Sequence, residues 1–377
     1  MNASPAVRDN GGMRKGDVVW LALAAVLLGW AGQACVPAHE ADPDLPKATL
    51  VTLQGKLRFS AALERLGQTG NRVVDLRRRL GQEASDPELD LALREVPFWQ
   101  AVDAVAAQAG LRLTPYWDRG TSEPVLGLQA WLGDRPQEPL PVAYDGPFRV
   151  AVQRLTAVRD LAEPAGSKLV CLVEVMAEPR LQPILLRDGG PGGEAGSGPT
   201  PARLGMVKWS GEAALELPLV LPLPPRTARV VPELHLRCRV LTPPRQTVLR
   251  LEHLRAGAEA VADGLRLRLR EWNVSRGGDR WQAEVELHYP AGRLPLESHQ
   301  TWAFQTSPVE LRSRAGGGSL RPQEVEVGIE EERAVRLRYA FRGLRGQQPG
   351  DWELVCRFPA PPVWYPLHAV FRDLPLP

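Results

Sequence analysis

The sequence predicts a mostly β protein: a small α+β module of order βαββαβ, followed by two tandem all-β sandwich domains. Three observations predict it. A helical motif occurs twice in the first third, as Phe59-x-x-x-Leu63-x-x-Leu66-x-x-x-Gly70 and as Phe98-x-x-x-Val102-x-x-Val105-x-x-x-x-Gly110. Landmarks in the remaining two-thirds recur at one offset of 118 positions. Asp145-Gly146 returns as Asp263-Gly264, and Cys238-Arg239-Val240-x-x-Pro243-Pro244 as Cys356-Arg357-Phe358-x-x-Pro361-Pro362. Between these landmarks apolar residues alternate with polar ones, and 36 Pro and 35 Gly supply the turns that many short strands need.

The chain opens with the anatomy of an export signal over residues 1–38. Met13-Arg14-Lys15 is positive, Val18 to Leu28 is an apolar run, and Ala31-Gly32-Gln33-Ala34-Cys35 is rich in small residues. The run is too short for a comfortable membrane span and suits a secretory signal peptide, with Met13 an alternative start. Two outcomes stay open. Cleavage after Ala34 or Ala38 releases a periplasmic protein; acylation of Cys35 anchors a lipoprotein, although Gly32 stands where a large aliphatic residue is usual. The net charge of +2 gives no reason to expect nucleic acid or a strongly anionic partner. Only five of the 46 basic residues are Lys, a bias that more often records a GC-rich genome than Arg-specific chemistry, although Arg does form firmer bidentate pairs with carboxylates.

In each helical motif the apolar residues fall at i, i+4 and i+7, which lines one helix face, and a Gly follows where a helix commonly ends. Short alternating stretches flank them: Leu50-Val51-Thr52-Leu53, Arg72-Val73-Val74, Leu89 to Leu93 and Leu111-Arg112-Leu113. The spacing predicts a small sheet covered by two helices on one face over residues 49–115. Ser60 and Pro97 mark the helix starts, and Asp86-Pro87 breaks the chain between the halves.

This block resembles the secretin and TonB short N-terminal domain family. The likeness is carried by Leu57-Arg58-Phe59-Ser60-Ala61-Ala62-Leu63, by Gln68-Thr69-Gly70 and by Val96-Pro97-Phe98-Trp99-Gln100-Ala101-Val102. The resemblance implies a periplasmic, non-enzymatic module that binds other envelope proteins. In this chain β-sandwich repeats follow it instead of a secretin pore or a TonB-dependent barrel. The layout as a whole looks like that of exported proteins of planctomycete-type bacteria.

Residues 116–142, with Trp117, Trp131 and several prolines, are expected to connect the module to a first sandwich at 143–255. A second sandwich is expected at 256–377, the boundary falling near Arg255–Asp263 where small residues cluster. Phe148-x-Val150-x-Val152 and Leu265-x-Leu267-x-Leu269 are matching first strands. The Gly- and Pro-rich stretch 189–201 reads as a mobile loop of the first sandwich, and Arg314 to Ser319 as a shorter one.

Candidate chemistry is sparse. Cys171, Cys238 and Cys356 sit on the apolar side of their strands and read as buried thiols, while an oxidising compartment would permit a Cys171–Cys238 bridge. There is no metal-ligand spacing, phosphate loop or cofactor motif. His235 shares a solvent-facing alternation with Arg237 and Arg239. Glu297-Ser298-His299 has the residue types for nucleophilic catalysis, but neighbours in a chain rarely converge on one atom. Glu174 and Glu178 could act as acid and base on a glycoside, yet Glu178 before Pro179-Arg180 reads better as an ion pair at a strand end. Glu324 to Glu332 reads as a solvated edge. Trp272, Trp281, Trp302 and Trp352 read as packing residues, and Trp364-Tyr365 as an exposed aromatic pair. The expected function is non-enzymatic protein–protein binding or scaffolding in the envelope, with Trp99 and Gln100 facing a partner. A carbohydrate-binding protein using Trp364 and Tyr365 is the alternative, and a hydrolase a weaker one.

Overall fold

The computed structural model describes residues 45–118, 123–131, 139–188, 206–209, 214–290, 309–316, 318–331, 333–344 and 346–377. The signal region with Met13 and Cys35, the loop 189–201, the triplet 297–299 and Trp302 lie outside them.

The chain starts with β1 (Leu50–Arg58), α1 (Phe59–Gly67), β2 (Val73–Asp75), β3 (Glu88–Pro97), α2 (Phe98–Ala109), β4 (Leu111–Asp118) and β5 (Glu123–Ala130). Each helix opens on the Phe of its motif. Phe59, Ala62 and Leu66 of α1 and Phe98, Val102 and Val105 of α2 are buried in one apolar cluster with Val51, Leu53, Leu89 and Leu91. Asp86 caps α1 from across the chain: the Ser60 backbone N–H and hydroxyl each donate to its carboxylate at 2.9 Å. α2 stops at Gly110, whose φ of 65° places it in the left-handed region that a side chain would strain.

The strands depart from the single small sheet that was expected. Among the described residues β1 pairs only with β3, and β2, β5 and β4 form a separate sheet in which β5 runs parallel to β2. β5 lies inside the expected connector 116–142, so that expectation is corrected. Val125, Leu126 and Leu128 are buried, and an apolar run of that kind cannot stay in solvent as a linker.

There follow β6 (Val142–Asp145), β7 (Phe148–Val158), β8 (Lys168–Ala177), β9 (Leu185–Asp188), β10 (Met206–Lys208), β11 (Ala214–Pro222), β12 (Val230–Thr242) and β13 (Gln246–Leu251). Then come β14 (Glu259–Ala262), β15 (Leu265–Val274), β16 (Arg280–His288), β17 (Val309–Ser313), β18 (Ser319–Leu320), β19 (Glu324–Glu331), β20 (Ala334–Arg342), β21 (Trp352–Pro359) and β22 (Val363–Pro375). They build two layered, sandwich-like sheet pairs. In the first, β11-β8-β7-β6 and β10-β9-β12-β22 share a core that includes Phe148, Val173, Leu219, Leu236 and Phe371. In the second, β14-β15-β16-β20-β19 and β13-β21-β17-β18 share a core around Trp281, Leu267, Tyr339 and Phe358.

The sheet pairs exchange their last strands. β13 follows β12 directly in the chain but pairs with β21 in the second pair, and β22 follows β21 but pairs with β12 in the first. The boundary near 255 is thereby corrected: β13 lies before it and belongs with the second pair, and β22 lies after it and belongs with the first. The repeated landmarks explain the exchange. Pro243-Pro244 and Pro361-Pro362 sit in the short links before β13 and β22. Two successive prolines hold the chain extended, which opposes the reversal a hairpin would need.

The Asp of each Asp-Gly turn then fastens the arriving strand. Asp145 accepts hydrogen bonds from the Tyr365 hydroxyl at 3.1 Å and the His368 backbone N–H at 2.7 Å. Asp263 accepts from the Thr247 hydroxyl at 2.7 Å and from Arg245. Thr247 and Tyr365 stand at the same 118-residue offset, so one bond recurs in both pairs. Gly146 is required beside it, because a Cβ there would come within 2.2 Å of the Tyr365 hydroxyl.

Candidate functional site

Two of the polar residues singled out by the sequence, Glu174 and Glu178, lie at the junction between the N-terminal elements and the first sheet pair. Glu178, one residue past the end of β8, is fully buried. Its carboxylate accepts from the Thr49 backbone N–H at 2.7 Å, the Thr49 hydroxyl at 2.5 Å, the Asn71 amide at 3.3 Å and Arg180 Nε at 2.6 Å. Arg180 in turn donates to the Thr49 hydroxyl and to the Lys47 carbonyl, and its backbone N–H donates to Asn71 Oδ1. The expected Glu178–Arg180 pair is present, but its role is to join segments more than 100 residues apart. Both oxygens of this carboxylate are thereby engaged by donors of its own chain.

Glu174 is used elsewhere in the same junction. It accepts from Gln153 at 2.9 Å and lies 3.8 Å from Arg149, which also binds Asp103 of α2 at 2.9 Å. Burial pushes the Glu174 carboxyl above its ordinary value, against the pull of Arg149. Asp103 accepts a further bond from the Tyr144 hydroxyl at 2.6 Å.

Trp99 belongs to this junction as well, which corrects its expected place on a partner-facing surface. It is 2% exposed, and its indole N–H donates to the Pro147 carbonyl at 3.0 Å. The ring packs edge-on against Phe98 at 5.3 Å, and Met176 of β8 enters the same apolar cluster. The face of α2 read as a docking surface is docked on the chain's own first sheet pair. Gln100 beside it is half-buried. Replacing Trp99 by Phe removes the indole N–H and leaves a small cavity, while the Pro147 carbonyl keeps the Glu178 backbone N–H as a donor at 2.9 Å. We expect a loss of about 1–3 kcal/mol in urea unfolding followed by circular dichroism.

Of the aromatic pair expected on the surface, Tyr365 is buried in the first core, 4.9 Å from the Phe148 ring, and so is corrected too. Trp364, next along β22, points the other way and is half-buried. Arg187 of β9 lies over its ring at 4.0 Å, and the Arg239 guanidinium is 5.7 Å from the ring centre. Register puts Arg187 directly opposite Arg239 on this outer face. Arg237 and His235 follow along β12, opposite His368 and Val370.

The outer face of the second sheet pair is organised differently. Columns of Arg stand beside columns of Glu on neighbouring strands: Arg338 meets Glu284 at 2.7 Å and Glu326 at 3.3 Å, and Arg336 meets Glu286 at 3.1 Å. Glu324 on the edge strand β19 takes Arg280 at 2.7 Å and Arg342 at 2.9 Å. The stretch read as a solvated edge is partly exposed at Glu324 and exposed at Glu326, with their carboxylates ion-paired to arginines of neighbouring strands.

Two histidines stack where the exchanged strand meets β12. The rings of His235 and His368 are 5.5 Å apart and nearly parallel, with Nδ1 of the first 3.2 Å from Nε2 of the second. His368 is held below the ordinary imidazole value of 6.5 by burial first, then by Arg237 and His235, against the opposing pull of Asp145 and Glu233. The unfolded chain thus takes up this proton at a higher pH than the folded one. The stability held above about pH 6.5 declines as pH falls through that value, until the folded His368 protonates as well. We expect the urea midpoint to fall between about pH 7.5 and 5.5, and to fall less in His368→Gln.

Cys171, Cys238 and Cys356 are buried and form no disulfide, so the Cys171–Cys238 bridge that an oxidising compartment would permit is not formed here. Each thiol sits inward on its strand in an apolar core, and burial pushes Cys171 up to about 11. Trp272, Trp281 and Trp352 pack edge to face in the second pair, at 5.6 and 6.5 Å. Among the described residues no group of three or more His, Cys, Asp or Glu side chains is placed to hold a metal ion. No helix among them is long and apolar enough to cross a membrane.

No protein-family model matches the chain, and no curated protein does. Among solved structures, the envelope protein VP37 from White Spot Syndrome Virus is similar over 37% of this chain and 98% of its own, at 13% identity and a TM-score of 0.20. A superposition that loose carries no argument about fold or function.

Proposed function

We propose that this chain is an exported bacterial envelope protein acting as a non-enzymatic protein–protein interaction or scaffold module. In this reading an α+β module resembling the short secretin and TonB N-terminal domain, extended by β5, precedes two tandem β-sandwiches. Its place in the periplasm, released or held by Cys35, rests on the signal-like start of the sequence. The observation that carries the reading is the internal bonding of the modules. Strand exchange ties the two sandwiches, and the buried Glu178 network ties the first of them to the α+β module, as a scaffold holding its partners at fixed separation requires. The same bonding engages Glu174 and Glu178, which weighs against the hydrolase alternative.

The surface offered to a protein partner in this reading is the seam between β13 and β14. Both are edge strands, and an open groove of about 920 Å³ runs along residues 248–261 between them. Val248 and Val261 are 42% and 65% exposed beside it. An extended partner segment can pair with either edge. A photo-crosslinker at position 261 of the full chain, used in the native envelope, should capture a defined envelope protein. The same band should vanish when the crosslinker sits at Leu161, an exposed apolar residue of the first sandwich. Equal capture from both positions, or none, would sink this reading.

A second reading, carbohydrate binding, is favoured by one observation: Trp364 stands on an outer sheet face with two arginines around its ring.

A further inference from the structure

We infer that the outer face of the β10-β9-β12-β22 sheet binds an acidic polysaccharide, with Arg187 and Arg239 chelating its carboxylate or sulfate groups and Trp364 supporting them. This rests on the carbohydrate reading and gives it a site and a charge.

The first argument is an unbalanced pair. Arg187 and Arg239 are direct cross-strand neighbours, and like charges in that position destabilise a sheet. Where Arg280 stands opposite Arg342 in the second pair, Glu324 contacts both, at 2.7 and 2.9 Å, and balances them. On the second pair Arg338 stands opposite Glu284 and Arg336 opposite Glu286, each in contact with its partner. Among the described residues no carboxylate is paired with Arg187 or Arg239; their contact is the indole of Trp364. An anion between the two guanidinium groups would remove the repulsion. The net charge of +2 conceals the site, because it is summed over the whole chain.

The second argument is geometric. A guanidinium stacked on an indole keeps its in-plane N–H groups free at the edge, and that fork fits the two oxygens of a carboxylate or sulfate. Lys208 of β10 adds a further cation one row away, and Met206, 71% exposed and opposite Arg187, adds an apolar surface. A sugar ring lying flat here would set its C–H face on Met206 and the Trp364 edge, and its acid group between the arginines.

An acidic peptide is the less suitable occupant. β9 and β12 are interior strands with neighbours on both sides, so no extended peptide can add to their backbones. Recognition on this face falls to side chains.

The full chain is titrated with polygalacturonate, neutral dextran and poly-glutamate by isothermal calorimetry at low and raised salt. Polygalacturonate should bind in a salt-dependent way, and binding should weaken by about tenfold or more in Arg187→Gln/Arg239→Gln. Arg187→Glu should abolish it while the melting temperature holds or rises, since opposite charges then face each other across the strands. Binding that survives both variants would overturn the site. Equal binding of poly-glutamate would overturn the carbohydrate as occupant. Binding of dextran without polygalacturonate would leave the carbohydrate reading standing and remove the anionic one. No binding of any glycan would remove both.

Discussion

Deleting residues 363–377 should unfold the first sheet pair and leave the second folded. β22 contributes Tyr365, Leu367, Phe371 and Leu374 to the first core. Each side chain is worth roughly 1.5–3 kcal/mol of burial, so their sum reaches the scale of a whole domain's net stability of about 5–15 kcal/mol. Deletion also strips the edge of β12 and leaves Asp145 without the Tyr365 and His368 donors. Every strand of the second pair lies between residues 246 and 359, before the cut. Hydrogen exchange is the direct measurement. Amides of residues 148–177 should lose protection, while those of residues 265–287 and 334–358 keep it. Loss confined to the second pair, as simple tandem domains would show, would refute the exchange.

Glu178→Ala should cost about 3–5 kcal/mol, the scale for breaking a buried ion pair by removing one partner. The variant strands the Thr49 backbone N–H and leaves Arg180 without its carboxylate, while the Asn71 amide keeps the Thr49 and Thr69 hydroxyls as acceptors. Because the network joins Thr49 and Asn71 to the first sheet pair, the expected signature is a second, earlier transition in urea as the N-terminal helices and strands detach. Glu178→Gln retains one acceptor oxygen and should fall between the two. A Glu178→Ala protein that unfolds in one step at an unchanged midpoint would show that the network does not hold the junction.

Much of the local structure was legible because local periodicity is a local property. The i, i+4, i+7 spacing from Phe59 and from Phe98 set where helices form, and Gly110 set where one stops. Alternation set which way Cys171, Leu236 and Trp281 point. The offset linking Asp145-Gly146 to Asp263-Gly264 marked equivalent turns before β7 and β15. Two misjudgements had signals within reach. Val125-Leu126-Gly127-Leu128 is too apolar for a connector, and Phe98-Trp99 places large apolar groups on two adjoining flanks of α2, one more than a single core needs.

The period and facing of each element follow from residues within a few positions of one another, and so are written in the chain. Which element lies beside which is a long-range choice that folding makes. Alternation assigns Leu249 and Leu367 to a core without saying whose, because any strand edge offers the same backbone donors and acceptors. The choice was made by extended Pro-Pro links that deny a hairpin and by Asp145 and Asp263, which hold strands arriving from the other pair. The pairing of Arg187 with Arg239, and the burial of Glu178 beneath Thr49, arise from the same long-range choice.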